Sequence, residues 1–251
     1  MKFMKLRKSL LGKSRRYLVR RVAAQAAVFN RVCQVKTLRE RLVTARGVYL
    51  ILDRSKLNKF SLTEIKNLVS GRAIGLVQLR DKTSAKAEVL KFAVKLAKQV
   101  AQTKSLFIVN DYVDVAVKSN ADGVHLGQDD LALKQARKIL GQDKIIGISC
   151  HSLAQALKAQ KEGADYIGFG PIYATATKPE LAGIGLKVAA QLKTKIHIPC
   201  FAIGNINQSN VKKITACGFE RIAVCRAILE DRSPQCAAKR LFQKLRKHDT
   251  A

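Results

Sequence analysis

Short, unbroken apolar runs alternate along this chain with longer segments in which apolar residues recur every three or four positions. The short runs lie at 47–52 (GVYLIL), 73–79 (AIGLVQL), 105–109 (SLFIV), 122–126 (DGVHL), 144–148 (KIIGI), 165–169 (DYIGF), 198–203 (IPCFAI) and 220–225 (ERIAVC). Their hydrophobicity is continuous rather than alternating, as expected of strands covered on both faces. Helical spacing fills the intervals, for example Ser84–Gln102, Leu131–Leu140, Ser152–Glu162, Leu186–Leu192 and Gln208–Cys217. Eight β-then-α units within about 200 residues predict an α/β fold of the TIM (β/α)8 barrel type. A doubly wound open sheet is the alternative, because periodicity alone does not separate the two.

Local punctuation supports these elements. Thr83/Ser84, Asp129/Asp130 and Ser209 are expected as helix N-caps. Asn120-Ala121-Asp122-Gly123 and Gly163-Ala164-Asp165 read as helix C-caps followed by turns, which makes them architecture rather than chemistry. Residues 1–46 stand apart: they lack proline, and Leu6, Leu10, Leu11, Tyr17, Leu18 and Val22 suggest an amphipathic helix, with 28–42 a further one. The expected organisation is a basic, helical N-terminal extension over 1–46 and a (β/α)8 catalytic barrel over 47–251.

Composition refines this picture. An apolar content of 47% with mean hydropathy −0.04 describes a soluble globular chain. No apolar run approaches the roughly 20 residues of a membrane helix, so no membrane partner is expected. The six cysteines show no C-x-x-C pair and no metal-ligand spacing with the histidines, which favours free thiols in a reducing compartment. The chain carries 47 Lys+Arg against 18 Asp+Glu, a formal charge of +29. Residues 1–46 hold 14 of those cations and a single acid, Glu40, and so carry +13. Such a field attracts phosphorylated ligands and, non-specifically, nucleic acid; the plain alternative is lysine on solvated helix faces. An organellar targeting peptide is also basic and acid-poor but Ser-rich. Only Ser9 and Ser14 occur here, which favours an extension on a cytoplasmic protein.

A barrel places its functional groups just past the C-terminal strand ends. There the second strand offers Gln78, Arg80 and Lys82 on one face, and the third Asn110 and Asp111. The fourth offers Asp129 and Asp130, and the fifth Ser149, Cys150 and His151. The sixth runs into Gly170-Pro171-Ile172-Tyr173-Ala174-Thr175-Ala176-Thr177-Lys178, the seventh into Gly204-Asn205 and the eighth into Cys225-Arg226. Arg80 and Lys82 together suit a diphosphate, the guanidinium by two-pronged hydrogen bonding and the ammonium as a point charge. Asp111 and Asp130 are hard oxygen ligands suited to Mg2+, with helix capping as the bland alternative. Thr175 to Lys178 could form a second anion site or a lid, and Gly204-Asn205 a phosphate-binding turn. His125, flanked by apolar residues on a strand, reads as a barrel-interior histidine, while His151 at the mouth could shuttle protons. No Ser-His-Asp arrangement, P-loop or H-E-x-x-H motif occurs.

Gln78-Leu79-Arg80-Asp81-Lys82, Asn110-Asp111, Asp122 to Asp130, Gly147-Ile148-Ser149 and Gly168 to Tyr173 with Thr175 to Lys178 resemble the thiamine-phosphate synthase family in order and spacing. The resemblance spans roughly residues 47–230. It implies a TIM-barrel transferase that joins an aminopyrimidine methyl diphosphate to a thiazole phosphate and releases pyrophosphate with Mg2+. By the same resemblance, Gln78 to Lys82 with Asn110 would hold the pyrimidine diphosphate, and Asp111 and Asp130 would bind Mg2+. Ser149 and Lys178 would touch the diphosphate, joining Arg80 and Lys82 in stabilising its departure. Thr175, Ala176, Thr177, Gly204, Asn205 and the Cys225-Arg226 backbone would hold the thiazole phosphate. The family has two glycines in the turn where this chain has Gly204-Asn205. The partners implied are small-molecule substrates, with nucleic acid bound only non-specifically and a homodimer left open. A thiazole tautomerase of the same fold and a non-catalytic, nucleic-acid-associated barrel are the alternatives.

Overall fold

The computed structural model describes residues 36–175 and 182–246. Eight parallel strands, β1 (Gly47–Asp53), β2 (Ile74–Arg80), β3 (Leu106–Asn110), β4 (Gly123–Leu126), β5 (Ile145–Cys150), β6 (Tyr166–Phe169), β7 (Cys200–Ile203) and β8 (Arg221–Val224), form one sheet. The sheet closes because β8 pairs with β1 from Gly47↔Arg221 to Leu50↔Val224. Closure removes the open-sheet alternative: this is a TIM barrel.

Around it lie α1 (Leu38–Thr44), α2 (Leu62–Val69), α3 (Lys86–Val100), α4 (Val113–Lys118), α5 (Leu133–Leu140), α6 (Leu153–Lys161), α7 (Leu186–Lys193), α8 (Val211–Ala216), α9 (Arg226–Leu229) and α10 (Pro234–Arg246). One face of each strand packs on the helices, where Val48, Leu50, Leu79, Val109 and Val124 are buried. The other face fills the barrel with Tyr49, Leu76, Leu106, Ile108, Ile145, Tyr166, Phe201 and Ala223. Glycine makes room for the large rings. A Cβ on Gly147 would lie 2.0 Å from Tyr166 Cζ, so only glycine lets that tyrosine occupy the interior.

The chain divides into compact units at 1–37 and 38–251, so α1 belongs to the barrel unit. Leu42 inserts into the interior cluster from the N-terminal end of the strands and is 1% exposed. Arg221 Nη2 donates to the Val43 carbonyl at 2.6 Å, and Arg39 pairs with Asp165 at 2.5 Å. Residues 38–46 thus pack against the N-terminal end of the barrel. The helix expected within 1–35 lies outside the described residues.

Three expected helix caps are also corrected. Helix α3 starts after Ala85 without a side-chain cap; the Thr83 and Ser84 N–H groups donate instead to Asp81 Oδ1 at 3.1 and 3.0 Å. Asp130 Oδ2 accepts from the Gly127 N–H at 2.6 Å, and α5 begins after Ala132. Ser209 donates to Asn207 Oδ1, while Asn210 precedes α8. In each loop a nearer polar group captures the residue that would have capped the helix. An unforeseen capping box, Ser61 with Glu64, does open α2. The two C-cap turns form as expected. Asn120 (φ 54°) and Gly163 (φ 90°) are left-handed, and the Ala121 and Ala164 N–H groups reach back to Ala116 and Ala159 at 3.0 Å.

Candidate active site

Alternation along β2 sorts the predicted residues physically. Gln78 faces the interior and is buried, Arg80 stands at the rim, and Lys82 lies beyond the strand. Leu79 points the other way, into the helical layer, so its side chain is remote from the mouth. The Asp81 carboxylate is turned onto its own loop by Thr83 and Ser84. Burial would raise its pKa, but those N–H donors hold it below the ordinary value. Asp81 thus shapes the loop that presents Lys82.

Arg80 is held by Asp53, its register partner at the end of β1. Asp53 also accepts from Ser55 N and Oγ at 3.1 and 2.6 Å. The sequence reading passed over Asp53. Its signal was available, because Leu50-Ile51-Leu52-Asp53 is one more apolar run ended by a polar side chain.

Asp111 and Asp130 come together across the ends of β3 and β4. The Asp111 backbone is left-handed (φ 62°), and its N–H donates to the His125 carbonyl at 2.8 Å. This bend turns the carboxylate toward the mouth, where Lys82 Nζ meets Oδ2 at 2.5 Å. The Asp111 pKa is raised, first by burial and also by close approach to Asp130, with Lys82 opposing. Like charges crowded this way favour a proton or a cation between them. No third His, Cys, Asp or Glu completes a cluster among the described residues. Two carboxylates with open oxygen positions fit a hard divalent cation whose remaining ligands are water and substrate oxygens.

Below the rim lies a line of buried polar side chains. Gln78 Nε2 donates to Tyr49 Oη at 2.6 Å, Tyr49 Oη meets Tyr166 Oη at 2.8 Å, and Tyr166 Oη meets His125 Nδ1 at 3.0 Å. His125 Nε2 then meets Ser149 Oγ at 2.9 Å. His125 is thus the interior histidine expected. His151 ties the ends of β5 and β6 together, with Nδ1 against the Gly170 carbonyl at 2.5 Å. Asn110 is buried beside this line at the end of β3.

The opposite rim is formed after β6, β7 and β8. Gly204 (φ 108°) and Asn205 (φ 50°) are both left-handed. A Cβ on Gly204 would lie 2.5 Å from Pro171 Cα, so the first position of this turn requires glycine. Asn205 is exposed and its carbonyl accepts from Asn210 Nδ2 at 2.9 Å. Cys225 and Arg226 stand where β8 passes into α9. Burial pushes the Cys225 thiol up to about 11, which keeps it protonated at neutral pH. The loop that follows β6 returns at Ile184 and Gly185, whose N–H groups donate to the Pro171 and Ile172 carbonyls. Thr175 is described at its start, whereas Ala176, Thr177 and Lys178 lie outside the described residues.

Together these features define a (β/α)8-barrel enzyme whose mouth carries cations on one side of a carboxylate pair and a left-handed turn across from it. Comparison with known proteins makes the class specific. The family model described as thiamine monophosphate synthase matches residues 48–228, and the chain belongs to that family. It is 38% identical over 204 residues to the thiamine-phosphate synthase of Clostridium acetobutylicum, covering 81% of this chain and 96% of that protein. Identity to the thiamine-phosphate synthase of Clostridium novyi is 42% over 196 residues, covering 77% and 96% respectively. The solved thiamine phosphate pyrophosphorylase of Pyrococcus furiosus superposes with a TM-score of 0.73 at 32% identity, over 84% of this chain and 98% of that one. A 3-hexulose-6-phosphate synthase, at 15% identity and a TM-score of 0.57 over 79% of this chain and 98% of its own, shares the barrel alone.

Proposed function

We propose that this chain transfers the methylene group of an aminopyrimidine methyl diphosphate to the nitrogen of a thiazole phosphate, giving thiamine phosphate and pyrophosphate. The observation that carries the reading is the juxtaposition of Arg80 and Lys82 with the Asp111–Asp130 pair at adjoining strand ends. In the reaction the carbon–oxygen bond to the diphosphate breaks, the electron pair leaves with oxygen, and the thiazole nitrogen forms the new carbon–nitrogen bond. The ring amino group feeds electrons toward that carbon, so the protein supplies no nucleophile.

What the chain supplies is charge and position. Arg80, fixed by Asp53, and Lys82 hold the diphosphate from the β2 side, with Ser149 touching it at the end of β5 and Lys178 assigned to it by the family motif. Gln78 and Asn110 hold the pyrimidine at the base of the mouth. The Gly204-Asn205 turn and the Cys225-Arg226 backbone receive the thiazole phosphate, together with Thr175, Ala176 and Thr177 by the family motif. Asp111 and Asp130 would hold Mg2+, which when bound supplies charge neutralisation for the departing pyrophosphate.

Every proposed contact is assigned within one chain. The remaining partners are small molecules, in a cytoplasmic setting; among the described residues no helix is long and apolar enough to cross a membrane. The positive charge gives a salt-screened attraction for nucleic acid without a reading of its sequence. The test is incubation of purified protein with both substrates and Mg2+. Thiamine phosphate and pyrophosphate should form in equal amounts. Isomerisation of the thiazole phosphate without pyrophosphate release would assign the chain to the tautomerase reaction instead.

A further inference from the structure

We propose that Gln78, Tyr49, Tyr166 and His125 form a one-way hydrogen-bond relay across the barrel that fixes Ser149 as a donor toward the substrate diphosphate. His125 and Tyr166 thereby act as positioning residues. The proposal rests on the functional reading above for the identity of the anion at Ser149, and on the structure for the relay itself.

The polarity follows link by link from donor and acceptor capacity. Gln78 Nε2 can only donate, so Tyr49 Oη accepts at 2.6 Å. Tyr49 has one proton and directs it to Tyr166 Oη at 2.8 Å. Tyr166, now an acceptor on that side, directs its own proton to His125 Nδ1 at 3.0 Å. A neutral imidazole accepting at Nδ1 carries its proton on Nε2, which donates to Ser149 Oγ at 2.9 Å. The hydroxyl proton of Ser149 is left to point at the mouth. The reverse polarity would turn that proton inward and present oxygen lone pairs to an anion.

Two further observations support the relay. Burial raises the pKa of both tyrosines, which keeps each a neutral hydroxyl with one proton to give. The barrel is hollowed beside it at Gly147, where a Cβ would lie 2.0 Å from Tyr166 Cζ. Such interiors are ordinarily filled with Val, Ile and Leu. A buried polar line is tolerated when each member is satisfied, and satisfaction here sets one direction.

The test has two arms, both on the full chain. The first is nitrogen NMR of protein labelled at histidine, with the His125 signal identified by its loss in His125→Gln. The expected tautomer is Nε2–H; an Nδ1–H imidazole would overturn the relay. The second is binding of pyrophosphate with Mg2+, followed by calorimetry in a double-mutant cycle. Ser149→Ala should weaken it about tenfold, as for one hydrogen bond to a charged group. Tyr166→Phe, which keeps the ring in place, should weaken it about threefold or more in the Ser149 protein and not at all in Ser149→Ala. Equal losses in both backgrounds would show that Tyr166 acts independently of Ser149 and sink the proposal. Should Tyr166→Phe melt early, Tyr49→Phe breaks the preceding link and is read the same way. Failure of the wild-type protein to make thiamine phosphate, with both arms as expected, would overturn the assigned reaction and leave the relay standing.

Discussion

Leu42→Ala should be among the most destabilising single changes in residues 38–46, although the sequence pattern places it in a dispensable extension. The side chain is 1% exposed and packs in the barrel interior with Tyr49, Leu76, Leu106 and Phe201. Truncation removes its transfer free energy and leaves a cavity walled by rigid strands, a combination that costs about 3 kcal/mol or more for a fully buried leucine. For a chain of this size each kcal/mol moves the midpoint by about 2–4 °C, so the predicted loss in Tm is about 6–12 °C. Val43, the next residue of the same helix, is 55% exposed. Val43→Ala should stay within about 0.5 kcal/mol of wild type and controls for helix propensity. Thermal melts followed by far-ultraviolet circular dichroism measure both, and turnover at 25 °C should be nearly unchanged in each, because the mouth is at the other end of the strands. A chain starting at Lys36 should keep the full Tm. One starting at Arg46 loses Leu42 and the Val43 carbonyl that Arg221 holds, and should melt lower still. Equal melting of Leu42→Ala and Val43→Ala, or full stability of the chain from Arg46, would refute this reasoning.

Four further outcomes are expected. Asp111→Asn and Asp130→Asn should each cut Mg2+-dependent turnover by at least about a hundredfold, and near-normal activity in either would remove that residue from the metal site. Because the Asp111 pKa is raised in the fold, its ionised form costs stability at neutral pH, and the cost fades as pH falls through the folded-state value. Metal-free Asp111→Asn should therefore melt above metal-free wild type at pH 7 and converge with it in acid; a lower Tm at pH 7 would contradict this. Asn205→Gly should leave the KM for thiazole phosphate unchanged or lower, whereas Asn205→Val should raise it selectively, since a β-branched residue resists φ near 50°; equal damage to both substrates would move the second phosphate elsewhere. Gly147→Ala should displace the Tyr166 ring at a cost of about 1–3 kcal/mol and weaken pyrophosphate binding, and a wild-type Tm in that variant would show the interior to be looser than described.

The strands were legible because each is a continuous apolar run, and a barrel requires only that eight of them recur with helices between. Closure was not legible, since it depends on the pairing of β8 with β1, a contact between the two ends of the pattern. Helix starts were misplaced where Asp81, Gly127 and Asn207 engage the expected caps, because a capping motif in sequence does not reveal competing partners a few residues away. The packing of residues 38–46 was missed for a related reason. Leu42 has the same helical spacing as the basic segment before it, and only its burial in the barrel's interior cluster separates them.

The aspartates show how far position along a strand decides chemistry. Asp122 and Asp165 stand at N-terminal strand ends, and each accepts a backbone N–H from the neighbouring strand, of Phe107 and Ile146, at 2.8 Å. Asp165 is further neutralised by Arg39 and Arg137. These carboxylates fasten the sheet. Asp53 ends β1, and Asp111 and Asp130 stand beyond C-terminal strand ends, where the last carbonyls point outward and neighbouring strands offer few N–H donors. They take their partners from side chains and loops: Arg80 for Asp53, Lys82 for Asp111 and the Gly127 N–H for Asp130. Even so, Asp111 remains crowded enough by burial and Asp130 that its pKa rises. A carboxylate already neutralised by arginine gains little from a cation, whereas two carboxylates held together favour one. Asp129 has no place in either set among the described contacts, and Asp53 enters the second only through its hold on Arg80. Strand ends therefore locate the mouth from sequence, while the division of its acids between the Asp111–Asp130 pair and the positioning of Arg80 depends on register and side-chain pairing.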